Sequence, residues 1–312
     1  MQLINRFIGF FSQQYYSIGF MVGDTYKEKT DISSFISWLT EDDTAGHWYA
    51  DPFILKNDSD SIEVLVEDFS LKEGKGRISK LRVSRISNNQ YKLISKKVLL
   101  SDETHYSFPY VIRDSGKVYV CPENYQSGGV YLYEYDDDKE ELINKVLIID
   151  KPLVDTQICK IEGKYYAFGV ETITGKMSES KCLKIFSSTN LLGPYLEHQT
   201  ICNKKKEERG AGCIYNELGK WIRPAQCSEG RYGKELIIYE LCLKDNVFIE
   251  NEIKRYRQNY FKRNGVTLHT INTVGDLTVV DGLDYINAPF FSRVLDPVNK
   301  FILALFFKKY RR

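Results

Sequence analysis

An all-β chain folded as a five-bladed β-propeller is what this sequence predicts, on three observations. Short runs rich in Val, Ile, Tyr and Phe alternate with turns built from Gly, Asp, Asn and Ser, which is the pattern of antiparallel meanders. The pattern recurs five times at intervals of roughly 50–60 residues, the period of propeller blades with three or four strands each. The 312 residues also include 22 Tyr and 17 Phe but only 8 Pro, enough apolar material for a substantial core and little sign of disorder.

The elements follow in order. Residues 1–46 hold an early strand, Tyr15 to Val22, expected to pair with the last blade and close the ring, and then a helical or irregular insertion over 24–46. The propeller occupies 47–288. Its first blade opens with Asp51-Pro52-Phe53-Ile54-Leu55, turns at 57–61, continues to Glu67 and returns through Arg77 to Val83. The second opens at Phe108 and its second strand ends at Glu123. The third runs from Asp155 to Glu171, the fourth from Ala211 to Gln226, and a weaker fifth from His269 to Asp281. A C-terminal tail covers 289–312.

In a propeller the first strand of each blade lines the central channel, so equivalent positions converge. The aligned first positions are Asp51, Phe108, Asp155, Ala211 and His269; the aligned second-strand ends are Glu67, Glu123, Glu171, Gln226 and Asp281. Carboxylates therefore gather at one level of the channel although the chain as a whole is balanced, with 43 Lys+Arg against 42 Asp+Glu. That balance excludes a uniformly basic nucleic-acid binder.

Three of the four histidines, His47, His105 and His269, sit at or just before a blade's first strand, and His47 is followed by Trp48. Imidazoles and carboxylates beside aromatic rings suit a sugar site, where rings stack on the CH-rich face and polar groups bond to hydroxyls. Other motifs carry less. The Gly-rich run 72–77 lacks P-loop spacing, 136–138 lacks EF-hand ligands, and 204–208 reads as a solvated charge run. No metal site and no cofactor are predicted, with a divalent cation left open.

Seven cysteines, an odd number with no CxxC pair, read as reduced thiols packed as small hydrophobes. The N-terminus lacks the charged region and cleavage site of a signal peptide, and no stretch reaches the ~18 apolar residues of a spanning helix. A cytoplasmic location is expected. The tail segment 298–312 is apolar and ends in Lys308, Lys309, Arg311 and Arg312, an amphipathic anchor for the inner leaflet or a terminal element packed on the propeller.

The strings HWYADPF, VEDFS, KGRIS, HYSFPYV, CPEN, LVDTQI, RGAG, RPAQ, RYG and LHTIN resemble a bacterial and plant family of five-bladed propellers named after the N-terminal domain of plant glucosamine inositolphosphorylceramide transferase. That group is similar to the arabinanase, levansucrase and invertase superfamily of furanosidases. The resemblance covers roughly 45–285 and implies a carbohydrate-active enzyme. It makes Asp51 the base or nucleophile and Asp155 its electrostatic partner. The superfamily's general acid, a blade-four Glu, has no clean match: Arg209 lies near its place, with Glu208 offset beside it.

An arginine stays protonated and cannot serve as that acid, but it can grip a phosphate or carboxylate. Arg209, joined by Arg223 and Arg231, is therefore read as an anion clamp, with Glu123 and Glu171 as acid or hydroxyl ligands. Glu67, Gln226, His47, Trp48, His105 and His269 shape the pocket. A phosphate leaving group needs little protonation, which favours glycosyl transfer in surface-polysaccharide or glycolipid assembly, with a sugar donor and a glycan or glycolipid acceptor as partners. A furanosidase-like glycoside hydrolase and a non-catalytic glycan-binding propeller are the alternatives.

Overall fold

The computed structural model describes residues 12–29, 31–40, 46–87, 90–172, 182–202, 208–227, 235–257 and 267–287. Arg231 and the 298–312 segment lie outside them. The described residues are all-β, with no α-helix among them. The chain divides into two compact units, one of residues 1–15 with 283–312 and the other of residues 16–282.

Strand β1 spans Ser12–Val22 and β2 Ser37–Thr40. The stretch between them, expected to be helical or irregular, holds two short 3₁₀ turns, Thr25–Glu28 and Ser33–Phe35. The Asp31 carboxylate, accepting from both the backbone N–H and the hydroxyl of Ser33, favours such a turn over a helix. The first repeat is β3 (His47–Asn57), β4 (Ser61–Ser70), β5 (Lys75–Ser87) and β6 (Gln90–Leu100). The second is β7 (Ser107–Asp114), β8 (Lys117–Glu123), β9 (Val130–Asp136) and β10 (Glu141–Ile149).

The third repeat comprises β11 (Leu153–Ile161), β12 (Lys164–Glu171), β13 (Cys182–Ser188) and β14 (Leu196–Cys202). In the fourth the first strand is broken into β15 (Glu208–Gly210) and β16 (Tyr215–Glu217), followed by β17 (Lys220–Cys227), β18 (Glu235–Lys244) and β19 (Val247–Arg257). The last strands are β20 (Thr267–Val274) and β21 (Leu277–Asn287).

Repeats two, three and four each form their own antiparallel sheet. The first and last share an eight-stranded sheet in the order β20-β21-β1-β2-β6-β5-β4-β3. The junction is a short parallel contact in which Leu39 faces Tyr91 and Thr40 faces Lys92. The sheets thus number four where the sequence counts five repeats, because two outer strands meet.

The cores lie between neighbouring sheets. Phe53, Leu65, Phe108, Val120, Ile158 and Ala167 join the first three repeats; Val154, Phe168, Ile214 and Leu241 join the third and fourth. Ala211, Leu236, Ile271 and Val280 join the fourth to β20 and β21, and these return to the first through Ile54, Val64, Leu277 and Val279. Face-to-face burial of alternating strand residues is what propeller-type sheets use in place of one central core.

Buried polar groups stitch the innermost strands in the same order. Arg113 donates to the carbonyls of Ile54 and Leu55, Tyr110 Oη donates to Ile158 O and accepts from Ile214 N–H, and Gln157 donates to Gly212 O and Pro224 O. Asn272 completes the sequence, accepting from Cys213 N–H at 2.6 Å and donating to Pro52 O at 2.7 Å. The QI of LVDTQI and the IN of LHTIN are therefore joints, which explains why a polar amide stands in each apolar run.

The reduced-thiol expectation fails at one pair. Cys182 and Cys202 are disulfide-bonded directly across β13 and β14; five free thiols accompany them. Strand register sets this pairing, which no short sequence motif announces. Burial pushes the Cys121 and Cys213 thiols up to about 12, so these are inert packing groups.

Gly212 marks the tightest approach. Its φ is +147°, and an added Cβ would stand 1.9 Å from Ile271 O. Gly212→Ala should destabilise the fold by about 1–3 kcal/mol or more, while Ile94→Thr on an exposed face of β6 should change it by less than about 0.5 kcal/mol. Urea unfolding of both variants checks the contrast, and equal stability would show that the approach of Gly212 to Ile271 is not tight.

Candidate active site

One backbone device recurs at the start of the first three repeats. Between Ala50↔Glu67 and Phe53↔Leu65 the inner strand carries one residue more than its partner, and the same holds between Ser107↔Glu123 and Tyr110↔Cys121 and between Val154↔Val170 and Gln157↔Phe168. These are one-residue bulges, which re-aim side chains. At each, the residue after the last regular pair takes a left-handed conformation, with φ of 50° at Asp51, 43° at Phe108 and 47° at Asp155. Such strain costs about 1–3 kcal/mol per residue and needs local support.

The support is polar. Asp51 N–H donates to Asp281 Oδ2 at 2.9 Å, and Phe108 N–H donates to Asp51 Oδ2 at 3.2 Å. Asp281 also accepts from Thr270 N–H at 2.6 Å and from the Thr270 hydroxyl at 3.0 Å. His269 Nδ1 stands 3.1 Å from Asp281 Oδ2 and 3.2 Å from Asp51 Oδ1. Asp281 is thus a hub that holds the Asp51 backbone, the fifth-repeat strand and an imidazole at once.

Asp155 anchors the opposite side. Arg209 Nε donates to its Oδ2 at 2.6 Å and Gln226 Nε2 at 3.0 Å, with Arg209 and Asp155 both buried. Gly210 makes this possible, since a Cβ there would sit 2.5 Å from Asp155 O. The two glycines of RGAG thus let the fourth repeat's first strand press against the third and the fifth. Glu123 accepts from Ser107 Oγ at 2.5 Å and from Tyr125 N–H at 3.2 Å. Glu67 lies against His105, whose Nε2 is 3.6 Å from Oε1.

Five buried carboxyls, Asp51, Glu67, Glu123, Asp155 and Asp281, therefore face one guanidinium and one imidazole pair of neighbours. Burial pushes Asp51 up, aided by Asp281 and Asp155 and opposed by His269. It pushes Glu67 well up, aided by Asp51 and Glu123. Glu123 is raised by burial against the pull of Arg209 and Ser107, and Asp155 by burial against Arg209. Desolvation holds His105 below its usual range.

An aromatic arc borders the carboxyls. Trp48 stacks on Phe69 with centroids 4.4 Å apart, Tyr16 lies 4.9 Å from Trp48 and 5.4 Å from His269, and Phe69 meets His105 edge-on. Tyr16, Phe69 and Asp281 were not among the site residues expected from sequence. Asp281 stood at an aligned strand end, which was the available signal. Phe69 follows from its pairing with Trp48. Tyr16 has no signal, because only the fold brings β1 to this place.

Three expected residues lie elsewhere. Glu171 faces Leu153, whereas Glu67 and Glu123 face the residue just before each left-handed position; the structural counterpart in the third repeat is Val170. A one-residue slip reverses the face in a strand, and Glu171 is half-buried near Lys151 instead. Arg223 is fully buried, bound to Glu250 and to Gln157 Oε1, three positions and so one face away from Gln226. His47 bonds to Asp68 Oδ1 at 3.0 Å on the face opposite Trp48, where Arg77 and Lys96 also meet Asp68. Arg223 and His47 are framework groups; of the anion clamp expected of Arg209, Arg223 and Arg231, Arg209 is paired with Asp155 and Arg231 lies outside the described residues.

Asp51, His269 and Asp281 carry ligand-type atoms within 4.8 Å of one another, the one such group among the described residues. They do not fit a cation. The Asp51 and Thr270 N–H groups, the Thr270 hydroxyl and the imidazole already direct their hydrogens at Asp281, where a metal would have to bind.

With the geometry in place, comparison with known proteins gives a family. Residues 11–278 match the family described as glucosamine inositolphosphorylceramide transferase 1, N-terminal. The chain belongs to this family. Glucosamine inositolphosphorylceramide transferase 1 of Oryza sativa subsp. japonica is 26% identical over 148 residues, covering 46% of this chain and 20% of that protein. The Arabidopsis thaliana protein of the same name is 28% identical over 148 residues, 46% of this chain and 19% of its own. The match to this family's named members thus spans about a fifth of their length. Among solved structures, an exo-beta-1,3-galactanase from Phanerochaete chrysosporium with beta-1,3-galactotriose superposes with a TM-score of 0.54 at 12% identity, covering 72% of this chain and 54% of that one. At that identity the likeness is one of fold.

Two outcomes follow from the buried charges. Arg209→Ala leaves Asp155 buried without its cation and should cost about 3–5 kcal/mol in urea unfolding; a cost under about 1 kcal/mol would show the pair is not a structural tie. The second concerns pH. Glu67, Asp51 and Glu123 are raised above their unfolded values of about 4, so the native state keeps protons that the unfolded chain releases. Their contribution is whole below about pH 4 and is lost as pH rises through the raised values. Asp68 works oppositely: despite its burial, Lys96 and Arg77 hold it down, and its contribution is lost in acid. The melting temperature should therefore peak in mild acid and fall toward alkaline pH, and Glu67→Gln should flatten that fall.

Proposed function

We propose that this chain is a carbohydrate-active enzyme of the glycosyltransferase type, acting in surface-polysaccharide or glycolipid assembly on a five-bladed propeller whose first and last blades share one sheet. Family membership supports the transferase class through the names of its plant members. The propeller likeness to a galactanase supports a glycan as the kind of substrate such a centre meets.

The observation that carries the reading is Arg209 on Asp155. A hydrolase of a plain glycoside needs a carboxylic acid to protonate the departing oxygen. Where the fourth repeat would supply it, this chain has a guanidinium that cannot give up a proton at working pH. A donor whose leaving group departs as a phosphate does not need that acid. Arg209 lowers the charge of the site by holding Asp155, so an anionic donor meets less repulsion than from five bare carboxylates.

In this reading Asp51 takes the proton of the acceptor hydroxyl. Its Oδ2 is fixed by Phe108 N–H, and its Oδ1 is buried without a well-formed hydrogen bond, a lone pair left for an incoming donor. Asp281 and His269 position it, Glu123 and Glu67 reach sugar hydroxyls, and the Trp48–Phe69 arc offers apolar surface. The Cys182–Cys202 disulfide is of the kind that persists in oxidising compartments, so the thiol argument for a cytosolic location is not carried into this proposal.

Purified protein assayed with activated sugar donors and glycan or lipid acceptors, alongside aryl furanosides, tests the reading. Asp51→Asn should lower transfer by about 10²–10⁴-fold, the usual contribution of a general base. Unchanged turnover in Asp51→Asn would remove Asp51 from the mechanism, and release of free sugar from furanosides without transfer would favour the hydrolase.

A further inference from the structure

Glu67 is the carboxyl of the five that no donor among the described residues holds. Asp281 accepts from Asp51 N–H, from both Thr270 groups and from His269. Asp155 accepts from Arg209 and Gln226, Glu123 from Ser107 and Tyr125, and Asp51 from Phe108. Around Glu67 the polar contact is His105 Nε2 at 3.6 Å, beyond hydrogen-bond length, and the side chain keeps 8% exposure.

His105 cannot neutralise it. Its Nδ1 lies 2.8 Å from Gly76 N, and a backbone N–H only donates, so Nδ1 carries a lone pair and the ring proton sits on Nε2. Charging the ring would place a second hydrogen on Nδ1 against that N–H. Gly76 closes the remaining side: a Cβ there would fall 2.6 Å from Glu67 Oε1 and 2.5 Å from Tyr106 O, so the KGRIS glycine lets the backbone approach this carboxyl.

A buried carboxyl loses its charge most cheaply where protonation breaks no hydrogen bond. At Asp281 and Glu123 both carboxyl oxygens already accept hydrogen bonds, and at Asp155 and Asp51 Oδ2 does; at Glu67 neither oxygen does among the described residues. Besides burial, the strongest electrostatic influences on Glu67 come from Asp51, Glu123 and Asp281, which repel its ionised form, and from His269, which opposes them.

We propose that Glu67 stands as a neutral carboxylic acid at neutral pH, fixed beside a neutral His105, and that its hydroxyl donates a hydrogen bond to a substrate oxygen entering the channel. The second half rests on the sugar-transfer reading above: an ionised Glu67 would repel the oxygens of an anionic leaving group, and a neutral one binds them. No proton needs to leave Glu67 for this, which suits a site whose expected acid position holds Arg209.

The protonation state is read without any substrate. Infrared difference spectra at neutral pH should show a protonated-carboxyl stretch that is present in the wild type, Asp51→Asn and Glu123→Gln and absent from Glu67→Gln. In wild-type protein carrying ¹³C-carboxyl glutamate, one glutamate should stay protonated through neutral pH, a readout that needs no variant to fold. A spectrum with no such band, or a band that survives in Glu67→Gln and vanishes in Glu123→Gln, would overturn the assignment. Where transfer is detected, Glu67→Gln should keep activity within about tenfold, since the amide N–H still donates, and should abolish the alkaline fall of the pH profile; an unchanged profile would refute the substrate contact. Failure to detect transfer with any donor would sink the enzymatic reading and leave the spectroscopic result standing.

Discussion

The candidate site rests on one backbone irregularity repeated three times. A single extra residue in each of the first three inner strands forces Asp51, Phe108 and Asp155 into a left-handed conformation. Regular strand geometry would send successive side chains to alternate faces, and no regular register puts both Asp51 and its neighbours' hydrogen bonds where they are. The strain is offset by buried hydrogen bonds made by the same backbone, Asp51 N–H to Asp281 and Phe108 N–H to Asp51. Candidate site and scaffold therefore cannot be separated: the Asp51 carboxylate also holds the next repeat's bulge.

The second organising constraint is charge. The chain is neutral overall, yet five carboxyls are buried together with one guanidinium. Such a group is tolerable where donors hold the charged oxygens or burial keeps a proton on the rest, and the structure supplies backbone N–H groups, hydroxyls, an amide, a guanidinium and an imidazole to Asp51, Glu123, Asp155 and Asp281. The glycines of RGAG and KGRIS belong to the same solution. They carry no chemistry, but Gly210, Gly212 and Gly76 let three backbones approach closely enough to bring the side chains of neighbouring repeats together. Gln157 and Asn272 act similarly from apolar strands, each spending its amide on backbone groups of the next repeats.

These contacts give the motifs of this family a physical reading that the family name alone does not. The Asp-Pro of the first repeat and the His of the fifth meet around one hub, Asp281, while the Asp of the third is held by Arg209 and Gln226 of the fourth. In the fourth repeat, Arg209 is seated on Asp155. The proposed transferase reading turns on this one side chain.

Much of this was legible in the sequence because strands and turns are written locally. The β-run and turn pattern, the five repeats and the aligned Asp51, Asp155, Glu67, Glu123 and His269 follow from spacing alone, since a period of two and a blade-length repeat fix which residues recur at one level. What spacing could not decide was the face. Glu171 was aligned with Glu67 and Glu123 on sequence, yet register makes Val170 their counterpart; Arg223 lies one face from Gln226, and His47 one face from Trp48. A bulge shifts register by one residue and leaves no mark in composition. Long-range partners were equally hidden. The Cys182–Cys202 bond, Tyr16 in the aromatic arc and the four donors on Asp281 depend on strands brought together only when the sheets pack. The sequence determined which chemical groups each repeat would offer; tertiary structure decided which of them share the buried space, because a side chain's direction and its donors are set by neighbours far along the chain.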